Sequence, residues 1–137
     1  MTPQEIDQCL LRNGLRPTRQ RRAIAGLLFA GTDRHVFPEQ LHQELAAKGT
    51  PTALATVYNT LHQFRALGLL REVVVGPNIT CFDTNTSPHC HIYNEDSGEL
   101  SDVAPEQLGI SMNGINLPQG TALSRVDVVV RVRNQDT

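Results

Sequence analysis

Apolar residues recur at helical spacing in several segments of the first half of the chain. The first segment opens with Thr2, Pro3 and Glu5, an order typical of a capped helix start, and ends at Gly14. A second segment begins near Thr18, and a third begins near Pro38. The fourth is TALATVYNTLHQFRALG, residues 52–68. The pattern therefore predicts four helices, at about 2–14, 18–30, 38–49 and 52–68.

β-Branched residues dominate much of the second half of the chain. LLREVVVGPNITCFDT (69–84) predicts a hairpin around Gly76-Pro77-Asn78. HCHIY (89–93) and ELSDV (99–103) predict a second strand pair, and SRVDVVVRVR (124–133) predicts a last strand. Residues 104–120 are weakly patterned, with a short helix expected after Pro105.

The order of these elements indicates the fold class. Two helices joined by a short glycine-containing turn and followed by a hairpin are typical of a winged helix-turn-helix. We therefore predict an α+β protein, with a winged-helix domain at residues 1–77 and a small α/β domain at residues 78–137.

Charge separates the same two halves. Residues 1–77 hold nine basic and six acidic side chains, net +3, whereas the remainder holds three basic and eight acidic side chains, net -5. A basic half favours a polyanionic partner, and an acidic half favours cations. Ordinary solvated surface is the alternative interpretation.

Two classes of protein are disfavoured by the sequence. No apolar run approaches the roughly 20 residues of a membrane span, and the start MTPQEIDQ lacks the features of a signal peptide. We therefore expect a cytoplasmic protein without a membrane partner. Cys9, Cys81 and Cys90 form no C-x-x-C pair, so neither a disulfide framework nor a four-thiolate zinc site is predicted.

The fourth predicted helix has a face of hydrogen-bonding side chains that could enter the major groove of DNA. Asparagine and glutamine can pair with adenine there, and tyrosine can pack on a thymine methyl group. Arginines between residues 16 and 22 could neutralise phosphates. An exposed helix without a partner is the alternative. The candidate residues are Arg16, Arg19, Thr56, Tyr58, Asn59 and Gln63.

A candidate metal site centres on a histidine pair. Side chains alternate along a strand, so His89 and His91 share one face, with Cα atoms about 6.5–7 Å apart, and Cys90 faces away. Asp83 and Asp102 lie on strands predicted to neighbour the pair, and His35 lies in a turn between helices. Such nitrogen and oxygen donors suit iron, manganese or zinc. Two ordinary surface histidines are the alternative.

Several motifs resemble the ferric uptake regulator family over nearly the whole chain. They are GLRPTRQRRAI (14–24), ATVYNTLHQF (55–64), FDTNTSPHCH (82–91) and GELSDV (98–103). The resemblance implies a homodimer whose winged helix binds an inverted repeat in double-stranded DNA and whose second domain dimerises. It also implies that Tyr58 contacts bases and that Arg16 probes the minor groove.

The resemblance extends to the metal ligands. The order of His35, Asp83, His89, His91 and Asp102 matches the regulatory site of the peroxide-sensing branch of the family, which implies one regulatory divalent ion per chain at the domain junction. The cysteine pairs that hold a structural zinc in most of the family are missing. We therefore do not expect a structural zinc bound by four cysteines.

ALATVYNTL, FDTNTS and RVDVVVRVR most closely resemble the iron response regulator branch of the family. Members of that branch respond to haem or iron status and typically have three consecutive histidines where this chain has His89-Cys90-His91. Haem or redox chemistry at these three residues is thus an alternative to a bare ion.

The leading hypothesis is a metal-responsive dimeric regulator that represses iron homeostasis genes. The main alternative is a peroxide-sensing iron or manganese regulator of the same family. A non-haem metalloenzyme is a distant alternative, since five protein ligands leave little room for substrate, and no enzyme activity is predicted. A winged helix that binds only protein would leave the arginine cluster unexplained.

Overall fold

The computed structural model describes residues 1–111 and 114–136, which divide into two compact units, Met1–Thr86 and Ser87–Thr137. The fold class is α+β, as predicted. The described part of the first unit contains α1 (Pro3–Arg12), α2 (Arg19–Phe29), β1 (His35–Val36), α3 (Pro38–Ala47), α4 (Leu54–Ala66), β2 (Arg71–Gly76) and β3 (Ile79–Asp83). The described part of the second contains β4 (Cys90–Asn94), β5 (Leu100–Val103), a 3-10 helix (Pro105–Leu108) and β6 (Val129–Val132).

Local signals determine where the first two helices begin. At α1 the Thr2 hydroxyl accepts a hydrogen bond from the Glu5 backbone N–H, and the Glu5 carboxylate accepts one from the Thr2 N–H. At α2 the Thr18 hydroxyl caps the backbone N–H of Arg21. These contacts satisfy amide donors that the first turn of a helix leaves without an intrahelical partner. The predicted starts of both helices are confirmed.

The helices of the first unit pack their apolar stripes into one core. α3 contributes Leu41 and Leu45, and α4 contributes Val57, Leu61 and Phe64, all fully buried. The polar face predicted for α4 is exposed at Thr56, Asn59 and Gln63. The core therefore fixes the rotation of α4 and directs this polar face to solvent.

The hairpin predicted after α4 is confirmed, and it forms a sheet with a strand that the sequence did not predict. β2 and β3 pair antiparallel around the turn at Pro77 and Asn78. The φ of Asn78 is 58°, in the left-handed region that asparagine tolerates. β1 pairs antiparallel with β3, giving the order β1-β3-β2. Phe82 of β3 is fully buried in the core of the helices. The unit thus extends to Thr86, whereas the boundary predicted after Pro77 falls in the turn between two paired strands.

The second unit has a three-stranded sheet in the order β5-β4-β6. β5 pairs antiparallel with β4, as predicted, and β6 pairs parallel with β4. The last strand was predicted over residues 124–133 but is confined to Val129–Val132. The 3-10 helix at Pro105–Leu108 agrees with the short helix expected there. Among the described residues, no helix is long and apolar enough to cross a membrane.

Candidate metal and DNA-binding sites

Two of the predicted metal ligands lie opposite each other in the sheet of the first unit. His35 and Asp83 are paired positions of β1 and β3, and the His35 Nε2 lies 3.3 Å from the Asp83 Oδ2. The other carboxylate oxygen, Oδ1, accepts a hydrogen bond of 2.9 Å from the backbone N–H of Asn85. The Asp83 side chain is 1% exposed. The sheet and the Asn85 amide therefore fix the orientation of a buried carboxylate beside an imidazole.

This position corrects two details of the prediction. His35 lies in a short strand, where a turn was expected, because its backbone pairs with β3. Asp83 is not on a strand neighbouring the histidine pair, because β3 pairs with β1 and β2 in the sheet of the first unit.

The other three predicted ligands converge in the second unit. His91 of β4 pairs directly with Asp102 of β5, and its Nε2 lies 3.6 Å from the Asp102 Oδ1. His89 immediately precedes β4, and its Nε2 lies 3.4 Å from the same oxygen. The two imidazole rings are 4.4 Å apart between centroids, which confirms that they lie on the same side of the strand.

A hydrogen bond orients the ring of His89. Its Nδ1 lies 2.7 Å from the backbone carbonyl oxygen of Ser87. A carbonyl oxygen can only accept, so Nδ1 is the donor in this bond, and in the neutral ring Nε2 is then the nitrogen with a lone pair for a metal. A metal-binding histidine commonly donates its second nitrogen to a carbonyl or carboxylate in this way.

The spacing of the donor atoms fits a divalent transition metal. Donors held about 2.1 Å from one ion at tetrahedral angles lie about 3.4 Å from each other. In the first unit the His35 nitrogen lies 3.3 Å from the Asp83 oxygen. In the second unit the His89 and His91 nitrogens lie 3.4 and 3.6 Å from the Asp102 oxygen. These distances exceed the roughly 2.7–2.9 Å of a charge-assisted hydrogen bond. Each group therefore has the donor chemistry and spacing of part of a metal coordination shell.

Cys90 lies between the two histidines in sequence but is fully buried, and it pairs across the sheet with Val103. Alternation along β4 directs its thiol to the face opposite His91. Cys9 and Cys81 are also buried, and none of the three cysteines takes part in a disulfide bond among the residues that the structure describes. A role for Cys90 in binding haem or in redox chemistry stays a prediction.

The predicted DNA-reading side chains lie along the exposed face of α4. Thr56, Asn59 and Gln63 border an open cleft of about 250 Å³, whose opposite wall is formed by Thr18 and Arg21 at the start of α2. The cleft thus brings the start of α2 beside the polar face of α4. This arrangement combines groups that could contact bases with groups that could contact phosphates.

Tyr58 has a partner that the sequence did not suggest. Its hydroxyl donates a hydrogen bond of 2.6 Å to the Glu39 carboxylate in the first turn of α3. Together with some desolvation, this bond raises the pKa of Tyr58 above its ordinary value of 10.0. The two residues are 19 positions apart on different helices, so no local pattern could reveal the contact.

The arginines near α2 differ in their availability for DNA. Arg22 forms a two-point ion pair with Asp7, at 2.8 and 3.2 Å, and the hydrogen bond and charge of Asp7 raise the pKa of Arg22. Arg19 and Arg21 donate to backbone carbonyls of Gly49 and Arg16, and Arg16 and Arg19 are exposed. Arg22 is exposed as well, but its charge is paired with Asp7 and links α2 to α1, whereas Arg16 and Arg19 have no carboxylate partner within the described part of the chain.

The sequence profile described as "Ferric uptake regulator family" matches residues 12–130. This chain belongs to the ferric uptake regulator family. Membership accounts for the order of the winged helix, the hairpin and the second sheet. It does not distinguish the branches of the family, so the assignment to the iron response regulator branch stays a prediction.

Individual relatives agree with this assignment. A curated protein named peroxide-responsive repressor PerR, from Staphylococcus epidermidis, is 34% identical over 99 residues, which are 72% of this chain and 65% of that protein. The chain thus spans about two thirds of the length of the curated relatives it matches. Among solved structures, the ferric uptake regulator from Pseudomonas aeruginosa with manganese is 26% identical, with a TM-score of 0.73, covering 96% of this chain and 98% of that one.

A second solved structure, the ferric uptake regulator from Francisella tularensis with iron, has a TM-score of 0.75 at 21% identity. It covers 89% of this chain and 93% of that one. At this level of identity the similarity supports the fold. The two structures contain different metals, so they do not identify the metal of this protein.

Proposed function

We propose that this protein is a metal-responsive, dimeric transcriptional regulator that binds double-stranded DNA and represses genes of iron homeostasis. The observation that carries the proposal is the convergence of the His89 and His91 Nε2 atoms on one oxygen of Asp102, in a chain of the ferric uptake regulator family. The order of the helices and the exposed polar face of α4 support the DNA-binding part of the proposal.

We further propose that the two groups of ligands serve one regulatory divalent ion. Each group alone offers too few donors for a closed shell, since His35 and Asp83 provide two and the group in the second unit provides three. Together they provide five, which suits iron, manganese or zinc. A bound ion would supply a positive centre shared by ligands of both units.

Such sharing would make DNA binding depend on the metal. His35 and Asp83 belong to the winged-helix unit, and the other three ligands belong to the second unit. Residues that hold one ion jointly restrict the orientation of the units to which they belong. The ligands would therefore link metal occupancy to the arrangement of winged helices that fits two half-sites of an inverted repeat.

The proposed homodimer is supported by the surface of the second unit. Large apolar side chains are exposed there, including Ile110, Ile115, Leu117 and Leu123, with exposed fractions between 37% and 50%. Where such side chains form one contiguous patch, they are typical of a surface that another chain covers. The proposed dimer would place two copies of α4 on one DNA duplex.

The decisive experiment measures DNA affinity against metal concentration. Metal-free protein is titrated with Mn²⁺ in the presence of a fluorescent duplex, selected from a random-sequence pool by the metal-loaded protein. We expect one ion per chain and a rise in affinity of about 5- to 150-fold, the usual range for coupled sites. His35→Ala alone, and the double change of His89 and His91 to Ala, should each abolish this rise.

His42→Ala serves as the matched control, because His42 lies in α3 outside both ligand groups. Circular dichroism and size-exclusion chromatography would establish that each variant keeps its fold and oligomeric state. Retention of the metal response by His35→Ala, or binding of two independent ions per chain, would contradict the shared-ion proposal.

A peroxide-sensing regulator is the second candidate function. It is favoured by the names of the curated relatives and by a ligand set of histidines and carboxylates without thiolates. Mass spectrometry of the iron-loaded protein after peroxide treatment distinguishes the two candidates. Oxygen added to His35, His89 or His91, together with loss of DNA binding, would favour peroxide sensing.

A further inference from the structure

We infer that Glu39 is a positioning residue for Tyr58 and thereby determines how well the protein discriminates between DNA sequences. The inference rests on the proposed role of α4 as the reading helix and extends it to a residue of α3. Its basis is the 2.6 Å hydrogen bond from the Tyr58 hydroxyl to the Glu39 carboxylate on the exposed side of the helices.

Both ends of this contact are mounted on rigid elements. Glu39 lies in the first turn of α3, where the helix dipole favours a negative charge, and Tyr58 lies in the second turn of α4. The two helices are packed together through Leu41, Leu45 and Leu61, which are fully buried. The core therefore holds the two helix backbones at a fixed separation, and the hydrogen bond to Glu39 orients the polar end of the tyrosine side chain.

The direction of the hydrogen bond determines which part of Tyr58 remains for DNA. A carboxylate only accepts, so the phenol donates its single proton to Glu39 and cannot donate the same proton to a phosphate. The ring remains available for apolar contact, such as packing on a thymine methyl group. A ring held in one orientation can distinguish one base from another. A hydroxyl that instead donated to a DNA phosphate would contribute equally to the binding of every sequence.

The charge of Glu39 makes a second, smaller contribution in the same direction. A carboxylate beside the reading helix repels phosphates, so a duplex in the wrong register gains less from this part of the surface. A reading surface composed only of basic groups would gain affinity without selectivity. Glu39 is thus expected to lower nonspecific binding while it supports specific contacts through Tyr58.

The test compares the affinity of metal-loaded, full-length variants for two duplexes of equal length. One duplex is selected from a random pool by the wild-type protein, and the other has its bases scrambled. Glu39→Ala and Tyr58→Phe should each lower the affinity ratio on the order of 3- to 10-fold, as expected for one lost hydrogen bond. Glu39→Gln keeps an acceptor and should retain most of the ratio. The double variant Glu39→Ala/Tyr58→Phe should fall no further than either single change.

A spectroscopic measurement reports on the contact without DNA. In a Tyr93→Phe background, Tyr58 is the only tyrosine that absorbs. Its ionisation should move to lower pH when Glu39 is replaced by alanine, because the acceptor that holds the phenol proton is gone. Superimposable titrations of the proteins with and without Glu39 would overturn the inference.

The outcomes separate this inference from the proposed function. If Tyr58→Ala leaves the affinity ratio unchanged, α4 is not the reading helix, and the proposed DNA-binding mode fails. If Tyr58→Ala lowers the ratio but Glu39→Ala and Tyr58→Phe do not, only the role of Glu39 is refuted. If Glu39→Gln loses as much as Glu39→Ala, charge rather than positioning is responsible, and the inference is again refuted.

Discussion

Arg34, the residue before the proposed ligand His35, is held by hydrogen bonds from both its side chain and its backbone. Its guanidinium donates two hydrogen bonds to the Glu44 carboxylate of α3, at 2.8 and 2.9 Å, and one of 3.2 Å to the Leu27 carbonyl of α2. Its backbone N–H donates to the Thr84 hydroxyl beyond β3. We predict that this side chain stabilises the first unit and fixes the position of His35.

The size of the effect depends on the burial of the pair. A buried hydrogen bond to a charged group contributes about 1.5–3 kcal/mol, whereas an exposed ion pair contributes about 0.2–1 kcal/mol. The Arg34 and Glu44 side chains are 27% and 31% exposed, between these limits. We therefore expect Arg34→Met, which retains the apolar stem, to lower the free energy of unfolding by about 1.5 kcal/mol. About 1 kcal/mol of this should be coupling with Glu44.

The assay is urea unfolding of Arg34→Met, Glu44→Gln and the double variant, followed by circular dichroism at the helix band. The signal reports on the first unit, because α1 to α4 all lie there. Arg12→Met is the control, since Arg12 is exposed at the end of α1, and a surface change of this kind should alter stability by less than about 0.5 kcal/mol.

The same variants should also differ in metal binding. Arg34→Met should weaken Mn²⁺ binding because it loosens the segment that holds the proposed ligand His35. Arg12→Met should leave Mn²⁺ binding unchanged. A coupling energy below about 0.3 kcal/mol, within the error of additivity, would refute the structural role of the pair. Unchanged metal affinity in a destabilised Arg34→Met protein would refute its role in positioning His35.

Fragments of the first unit should differ in their folding, and Arg19 and Arg22 should have separate roles. A fragment of residues 1–86 should unfold cooperatively, whereas a fragment of residues 1–77 should not, because the shorter one lacks the buried Phe82; equal melting curves would refute this. Arg19→Ala should weaken binding to all duplexes alike and reduce the salt dependence by about one phosphate contact, whereas Arg22→Met should chiefly lower stability because Asp7 holds Arg22. Filter-binding assays across salt concentrations would check Arg19→Ala, and an equal salt slope for Arg19→Ala and the wild type would contradict the assignment. Urea unfolding would check Arg22→Met, and an unchanged midpoint would contradict the role of its ion pair.

Elements whose signals are local were predictable from the sequence. The capping box of Thr2 and Glu5 lies within one turn, and the turn at Pro77 and Asn78 lies within one hairpin. Helical spacing identified α4 and its exposed polar face, and the apolar residues Val57, Leu61 and Phe64 of that helix are fully buried. In each case the interacting residues are close in sequence, so a pattern could record the interaction.

Elements that depend on distant pairing were not predictable. β1 has only two residues, too few for an alternating pattern, and it exists because His35 and Val36 pair with β3 almost 50 positions later. The contacts of Glu39 with Tyr58 and of Arg34 with Glu44 link different elements through side chains alone. Polar residues at these positions resemble solvated surface until the packing of the elements is known.

The register of each sheet determines the spacing of the proposed metal ligands within its unit. His35 faces Asp83 in one sheet, and His91 faces Asp102 in the other, each as a directly paired position. A shift of one residue in either pairing would turn one member of the pair to the opposite face of its sheet. The donor separations of 3.3 and 3.6 Å are thus consequences of strand pairing, set before any ion binds. Metal affinity should therefore decline whenever the pairing of β1 with β3 or of β4 with β5 is disturbed, even by changes that leave all five proposed ligands intact.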